Sequence, residues 1–225
     1  MLPHVVAAQG LTAPRARIFL LSPANCGGAR ARQVLAPDAR FALADRLRSA
    51  QGAPLGEVFA FVSGLYFRGK LVYARRFGVP PDPGGASADR SVYIITPSAG
   101  LRNPDTLVTV VAMRAFAEID VHPDNAAYRG PLERSARALR SEIGAGCDVV
   151  LLGSIASPKY VDVLLDIFGA QFRFPTAFVG RGDRSRGGLL LRKAAEGTEL
   201  EYAAMAGARR RGTRPPKLPP LKPRA

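Results

Sequence analysis

Residues 17–28, Arg17-Ile18-Phe19-Leu20-Leu21-Ser22-Pro23-Ala24-Asn25-Cys26-Gly27-Gly28, decide the fold. A short, unbroken apolar run stops at a small, polar, glycine-bearing turn. The pattern recurs at Val92-Tyr93-Ile94-Ile95 into Thr96-Pro97-Ser98-Ala99-Gly100, and at Val149-Val150-Leu151-Leu152 into Gly153-Ser154. Continuous rather than alternating apolar runs mark strands covered on both faces, as in a parallel sheet sandwiched by helices. The expected fold class is therefore α/β: a three-layer sandwich with a mainly parallel central sheet. Ligands of such sheets sit at the carboxyl ends of the strands, where these turns fall.

The intervening segments supply helices. Asp38 is placed to cap a helix running to about Ser49, with Phe41, Leu43, Ala44 and Leu47 as its buried stripe. From Pro54 to about Phe77 apolar residues recur at helical spacing, which predicts one long helix. Residues 109–118 lean to helix, and Pro131 to Ile143 is amphipathic. Ser157-Pro158 is an N-cap followed by proline at the first helical position, opening a buried helix through Phe168. Phe172 to Val179 reads as a short extended stretch, followed by a glycine-arginine loop from Gly180 to Gly188.

At 225 residues, the chain accommodates one substantial domain. The expected division is a lead-in over residues 1–15, a single domain over 16–206, and a tail over 207–225. The formal charge is +14, and its distribution is uneven. The tail carries Arg209, Arg210, Arg211, Arg214, Lys217, Lys222 and Arg224, no acidic residue, and five prolines. That composition forbids helix or sheet and predicts a disordered basic arm suited to a phosphate backbone. No apolar stretch reaches the roughly 18–20 residues that span a bilayer, so a cytoplasmic protein without a membrane partner is expected. Cys26 follows one strand and Cys147 precedes another, about 15 Å apart in a parallel sheet. A disulfide between them is not expected.

Several residues carry candidate chemistry. Tyr66 and Lys70 share a helix face in a Tyr-x-x-x-Lys pair. The chain lacks the Gly-x-Gly-x-x-Gly turn that accompanies this pair in short-chain dehydrogenases, so the expectation is a packed tyrosine with Lys70 reaching solvent. The first turn offers Ser22, Asn25 and Cys26, the second Ser98 and Gly100, the third Ser154, as ligand-binding groups. Cys26 is a nucleophile only if an electropositive setting lowers its pKa. Within Gly180–Gly188, Arg181, Ser185 and Arg186 are placed to hold a phosphate or carboxylate while Asp183 orients them. Only His4 and His122 are present, and no cysteine-histidine cluster has metal-ligand spacing, so neither a metal nor a cofactor is expected. Asp120-Val121-His122-Pro123-Asp124 reads as an exposed polar loop.

Two segments together resemble the YaaA-like group of bacterial proteins. They are Leu65-Tyr66-Phe67-Arg68-Gly69-Lys70-Leu71-Val72-Tyr73-Ala74 and Tyr93-Ile94-Ile95-Thr96-Pro97-Ser98-Ala99-Gly100-Leu101-Arg102-Asn103-Pro104-Asp105-Thr106. Val149 to Leu165, with Tyr160 on its helix, is similar to a later strand and helix of that group, and the resemblance spans about residues 17–182. It implies a compact α/β fold, DNA binding of the kind associated with peroxide-stress response, and kinship with domains that accompany tRNA-base exchange enzymes.

The expected function is thus association with nucleic acid, DNA or RNA, through the tail and the Arg181–Gly188 loop. Ser22, Asn25, Ser98 and Ser154 would line a strand-end pocket for a base or nucleotide. One alternative is an enzyme that cleaves or exchanges a glycosidic bond, with Tyr66, Asp105 and Asp183 as acid, base or orienting groups. The other is a non-catalytic interaction scaffold.

Overall fold

A computed structural model of the chain describes residues 15–82, 84 and 90–218. The three apolar runs become β1 (Arg17–Leu21), β3 (Val92–Thr96) and β6 (Asp148–Leu152). All three are parallel, with Leu21 opposite Ile94 on one side and Leu152 on the other. The six-stranded sheet has the order β4-β3-β1-β6-β7-β8, where β4 is Gly100–Arg102, β7 Phe172–Pro175 and β8 Tyr202–Ala204. The short edge strands β4 and β8 are antiparallel to their neighbours. A separate antiparallel pair joins β2 (Ala53–Pro54) to β5 (Leu107–Val108).

Alternate residues of β1 feed two separate cores, as the two-residue period of a strand requires. Phe19 and Leu21 pack with α1 (Ala29–Leu35), α2 (Ala42–Arg48), α3 (Leu55–Ser63) and α4 (Leu65–Phe77). Ile18 and Leu20 pack with α6 (Ala126–Glu142) and α7 (Pro158–Phe168) on the other face. The two remaining helices are α5 (Val110–Glu118) and α8 (Asp183–Glu196). The fold is therefore α/β, with a mostly parallel sheet and helices on both faces.

From β1 the chain crosses to β3 on one side, then returns past β1 to β6 on the other. Successive connections leave neighbouring strands β1 and β6 in opposite directions. The carboxyl ends of these two strands form the topological switch point, where a crevice opens.

Local differences from the expected elements have identifiable causes. The expected helix 54–77 is broken at Gly64, whose φ of 62° and ψ of −133° lie outside helical geometry and favour glycine. Asp38 caps nothing: α2 starts at Ala42, and the preceding helix α1 has no side-chain cap to announce it. α6 begins five residues before Pro131, capped by Asn125, whose side chain accepts from the Ala127 amide. The run at Thr96-Pro97-Ser98-Ala99-Gly100 ends in a hairpin turn. Thr96 Oγ1 donates to the Gly100 carbonyl at 2.7 Å and accepts from the Ala99 amide at 3.0 Å.

The largest correction concerns residues 180–188. From Asp183 they form α8, not a loop, and the glycines permit a close crossing with α4. A Cβ on Gly187 would lie 2.8 Å from the Tyr66 Cα, and one on Gly69 would lie 2.6 Å from the Gly187 carbonyl oxygen. Arg186 is buried rather than offered to a ligand. It donates to the Phe178 carbonyl at 3.2 Å, meets Asp183 at 3.3 Å and lies over the Phe178 ring.

Through Leu218 the tail has neither helix nor strand. It runs against the domain: Arg210 pairs with Asp162 at 2.6 Å, the Thr213 carbonyl sits over Gly180, and Leu218 lies beside Gly188. Arg209, Arg211, Arg214 and Lys217 are exposed. Lys222 and Arg224, like residues 1–14 of the lead-in, lie outside the described residues.

Candidate functional site

The β1 ladder extends to Ser22, whose amide donates to the Leu152 carbonyl at 3.1 Å. Pro23, with no N–H, ends it. The chain then closes on itself. Asn25 Oδ1 accepts from the Gly27 amide at 3.2 Å, and the Asn25 carbonyl accepts from Gly28 at 3.3 Å. Cys26 is tucked inward, 5% exposed. Burial pushes its thiol up to about 12, so it stays protonated and is a poor nucleophile.

Beneath this turn lies Lys70. Its α4 position, one turn beyond Tyr66, points it at the end of β1, and α8 packs closely along α4. Contrary to the expectation of a solvent-reaching lysine, it is 1% exposed. Nζ contacts the Ser22 carbonyl at 2.7 Å and Ser22 Oγ at 2.9 Å. It also lies over the rings of Tyr66 and Phe67, 4.7 and 4.5 Å from their centroids. No carboxylate reaches it among the described residues. Burial pulls its ammonium down to about 7, with Asp183 working against the shift and Arg186 adding to it.

The β6 side is built to match. A Cβ on Gly153 would lie 2.8 Å from Ser22 Cβ and 3.0 Å from the Tyr160 hydroxyl, so only glycine leaves room for both. Tyr160, on the first turn of α7, accepts from the Ser154 amide at 3.0 Å and donates to the Ser154 carbonyl at 3.2 Å. Burial raises its pKa. Tyr66 is raised too, again by burial, and Arg186 offsets part of that rise. Among the described residues, neither the buried Tyr66 hydroxyl nor the buried Arg186 Nε meets a partner in hydrogen-bond geometry.

These groups face a cavity of about 920 Å³ at the switch point. Ser22, Asn25, Cys26 and Ser154 line it, as do Tyr66 and Asp183. Arg30, Ser63, Ser157 and Lys159 stand around it, and Glu118 to Val121 close another side. The remaining expected residues do not line it. Ser98 and Gly100 belong to the β3–β4 hairpin, and Gly100, with φ of 69°, lies tight against the Pro131 carbonyl. Asp105 is exposed and pairs with Arg75 at 2.5 Å. Arg181 turns back to the Ala177 carbonyl at 3.0 Å and to Ser185 Oγ at 3.2 Å. His122 and Asp124 are exposed, 3.5 Å apart. No group of three or more His, Cys, Asp or Glu suited to a metal occurs among the described residues.

Sequence reasoning missed Lys70 as an inward group, and Tyr160, Lys159 and Ser63 as lining residues. The Ser157-Pro158 cap was a usable signal, because it fixes where α7 starts and hence that Tyr160 lies in its first turn.

No family model, curated protein or solved structure matches this chain. Among the described residues no helix is long and apolar enough to cross a membrane.

Proposed function

We propose that this chain binds a nucleotide or nucleobase in the switch-point cavity and works in association with nucleic acid. One observation carries the reading: Ser22, Tyr66, Lys70, Ser154 and Tyr160, from four separate segments, converge on one concave site. Its volume of about 920 Å³ falls in the range of small-molecule sites, roughly 300–1,000 Å³. Hydroxyls and backbone groups suit base edges and ribose, and Lys159 and Arg30 at the rim suit phosphate. The YaaA-like resemblance and the exposed tail cations favour a nucleic-acid context. Arg181 and Arg186, turned inward, are no part of it.

A panel of nucleobases, nucleosides and nucleotides tests this by thermal denaturation. At least one is expected to raise Tm in a saturable way, and Tyr66→Phe or Lys159→Ala to weaken that rise. A panel without effect on Tm would favour the scaffold. The glycosidic-bond alternative retains Tyr66 and Asp183 at the cavity and loses Asp105 to the surface.

A further inference from the structure

We infer that Ser22 and Lys70 form a nucleophile and general-base pair for acyl transfer, with a carboxylic ester as the class of substrate. The inference shares the cavity with the binding reading but not its ligand.

The geometry is that of an activated serine. Ser22 Oγ lies 2.9 Å from Lys70 Nζ, within the reach a base needs to take the hydroxyl proton. A neutral amine satisfies both contacts at once: one N–H donates to the Ser22 carbonyl, and the lone pair accepts the Ser22 hydroxyl proton. Phe67 and Tyr66 cover the amine on two sides and leave it at the cavity lining. Asp183 and Arg186 of α8 act on its charge in opposite senses, no carboxylate contacts it among the described residues, and Tyr160 of α7 faces Ser22. Burial brings its pKa to about 7, so a large fraction is unprotonated near neutral pH. Gly153 leaves the space that Ser22 occupies. The Tyr66 hydroxyl is protonated, lines the same cavity, stands beside the Arg186 donor and has no acceptor among the described residues, which leaves its proton for a developing oxyanion.

The step balances with water alone. Ser22 Oγ bonds to the carbonyl carbon while Lys70 Nζ takes its proton. The tetrahedral intermediate collapses, the C–O bond to the alcohol breaks, and Lys70 returns the proton to that alcohol. Water then attacks the acyl-serine with Lys70 as base, releasing the acid and restoring Ser22.

The intact chain is incubated with a fluorophosphonate, which Ser22 Oγ attacks at phosphorus with loss of fluoride, and the adduct is located by peptide mapping. The expected result is modification of Ser22 at a rate rising about tenfold per pH unit below an apparent pKa near 7 and level above it. Ser22→Ala abolishes the adduct, Lys70→Met slows it at least about 100-fold, and p-nitrophenyl acetate hydrolysis follows the same order. No adduct, an adduct on another residue, or a Ser22 rate insensitive to pH between about 5.5 and 9 overturns the inference. Peptide mapping and the pH profile of the unmodified sequence decide the matter even if Lys70→Met fails to fold. Nucleotide shifts of Tm measured on the unmodified sequence, without fluorophosphonate, report separately on the binding reading.

Discussion

Lys70 is expensive to bury, and the cost depends on pH. Its folded pKa near 7 lies below the ordinary lysine value of 10.5. Between those values the unfolded chain binds a proton that the folded chain does not, so stability rises with pH across that window. Below about pH 7 the full penalty applies. Lys70→Met removes the titration, so the stability advantage of the variant over the wild type is expected to shrink by about 2 kcal/mol between about pH 7 and 8.5. Urea denaturation at several pH values measures it, kept below the range where Cys26 of the unfolded chain loses its proton. A flat difference between the two proteins would mean that Lys70 does not lose its proton over this range. The Tyr-x-x-x-Lys spacing was legible in the sequence. The inward direction of Lys70 was not, because it depends on how α4 packs between β1 and α8, the latter from a segment more than a hundred residues away.

At the scale of elements, α8 shows where pattern reading reaches its limit. Glycines interleaved with arginines have poor helix propensity and resemble a loop. Tertiary packing overrides propensity here, since Gly187 lets α8 approach the backbone of Leu65 and Tyr66. Its neighbour is different: a Cβ on Gly188 would meet only Leu218 Cδ1, at an ordinary 3.7 Å. Gly187→Ala is therefore expected to cost about 2–4 kcal/mol, because backbone must move. Gly188→Ala should be neutral or stabilising by up to about 1 kcal/mol. Equal effects of the two substitutions in chemical denaturation would contradict the crossing. The strands, by contrast, were readable because β1, β3 and β6 are covered on both faces, which leaves an unbroken apolar run. The edge strands β4 and β8, three residues each, leave no such signature.

Across the whole molecule, net charge is written in composition and topology is not. The excess of basic residues was plain from composition, but composition could not show that Arg210 is held by Asp162 while Arg209, Arg211, Arg214 and Lys217 face solvent. Replacing those four with Gln tests the tail without removing the chain that packs on Gly180. Affinity for duplex DNA is expected to fall, and the slope of log K against log salt to flatten by up to about 3.6, or about 0.9 for each cation removed. An unchanged slope would remove the tail from the nucleic-acid reading. Strand order was equally hidden, because the return past β1 from β3 to β6 is a matter of connection and not of local pattern. That return is what brings the Ser22 and Ser154 turns side by side.

The cavity is completed late. Its wall runs from Ser22 near one end of the domain to Asp183 near the other, and Lys70 stays sheltered only once α8 has docked on α4. During synthesis, the first strand and its turn leave the ribosome long before their partners exist. The enclosed cavity is thus a property of the finished domain alone, and the proton exchange of backbone amides around Ser22 in a chain truncated before α8 would report how much of it waits for that last helix.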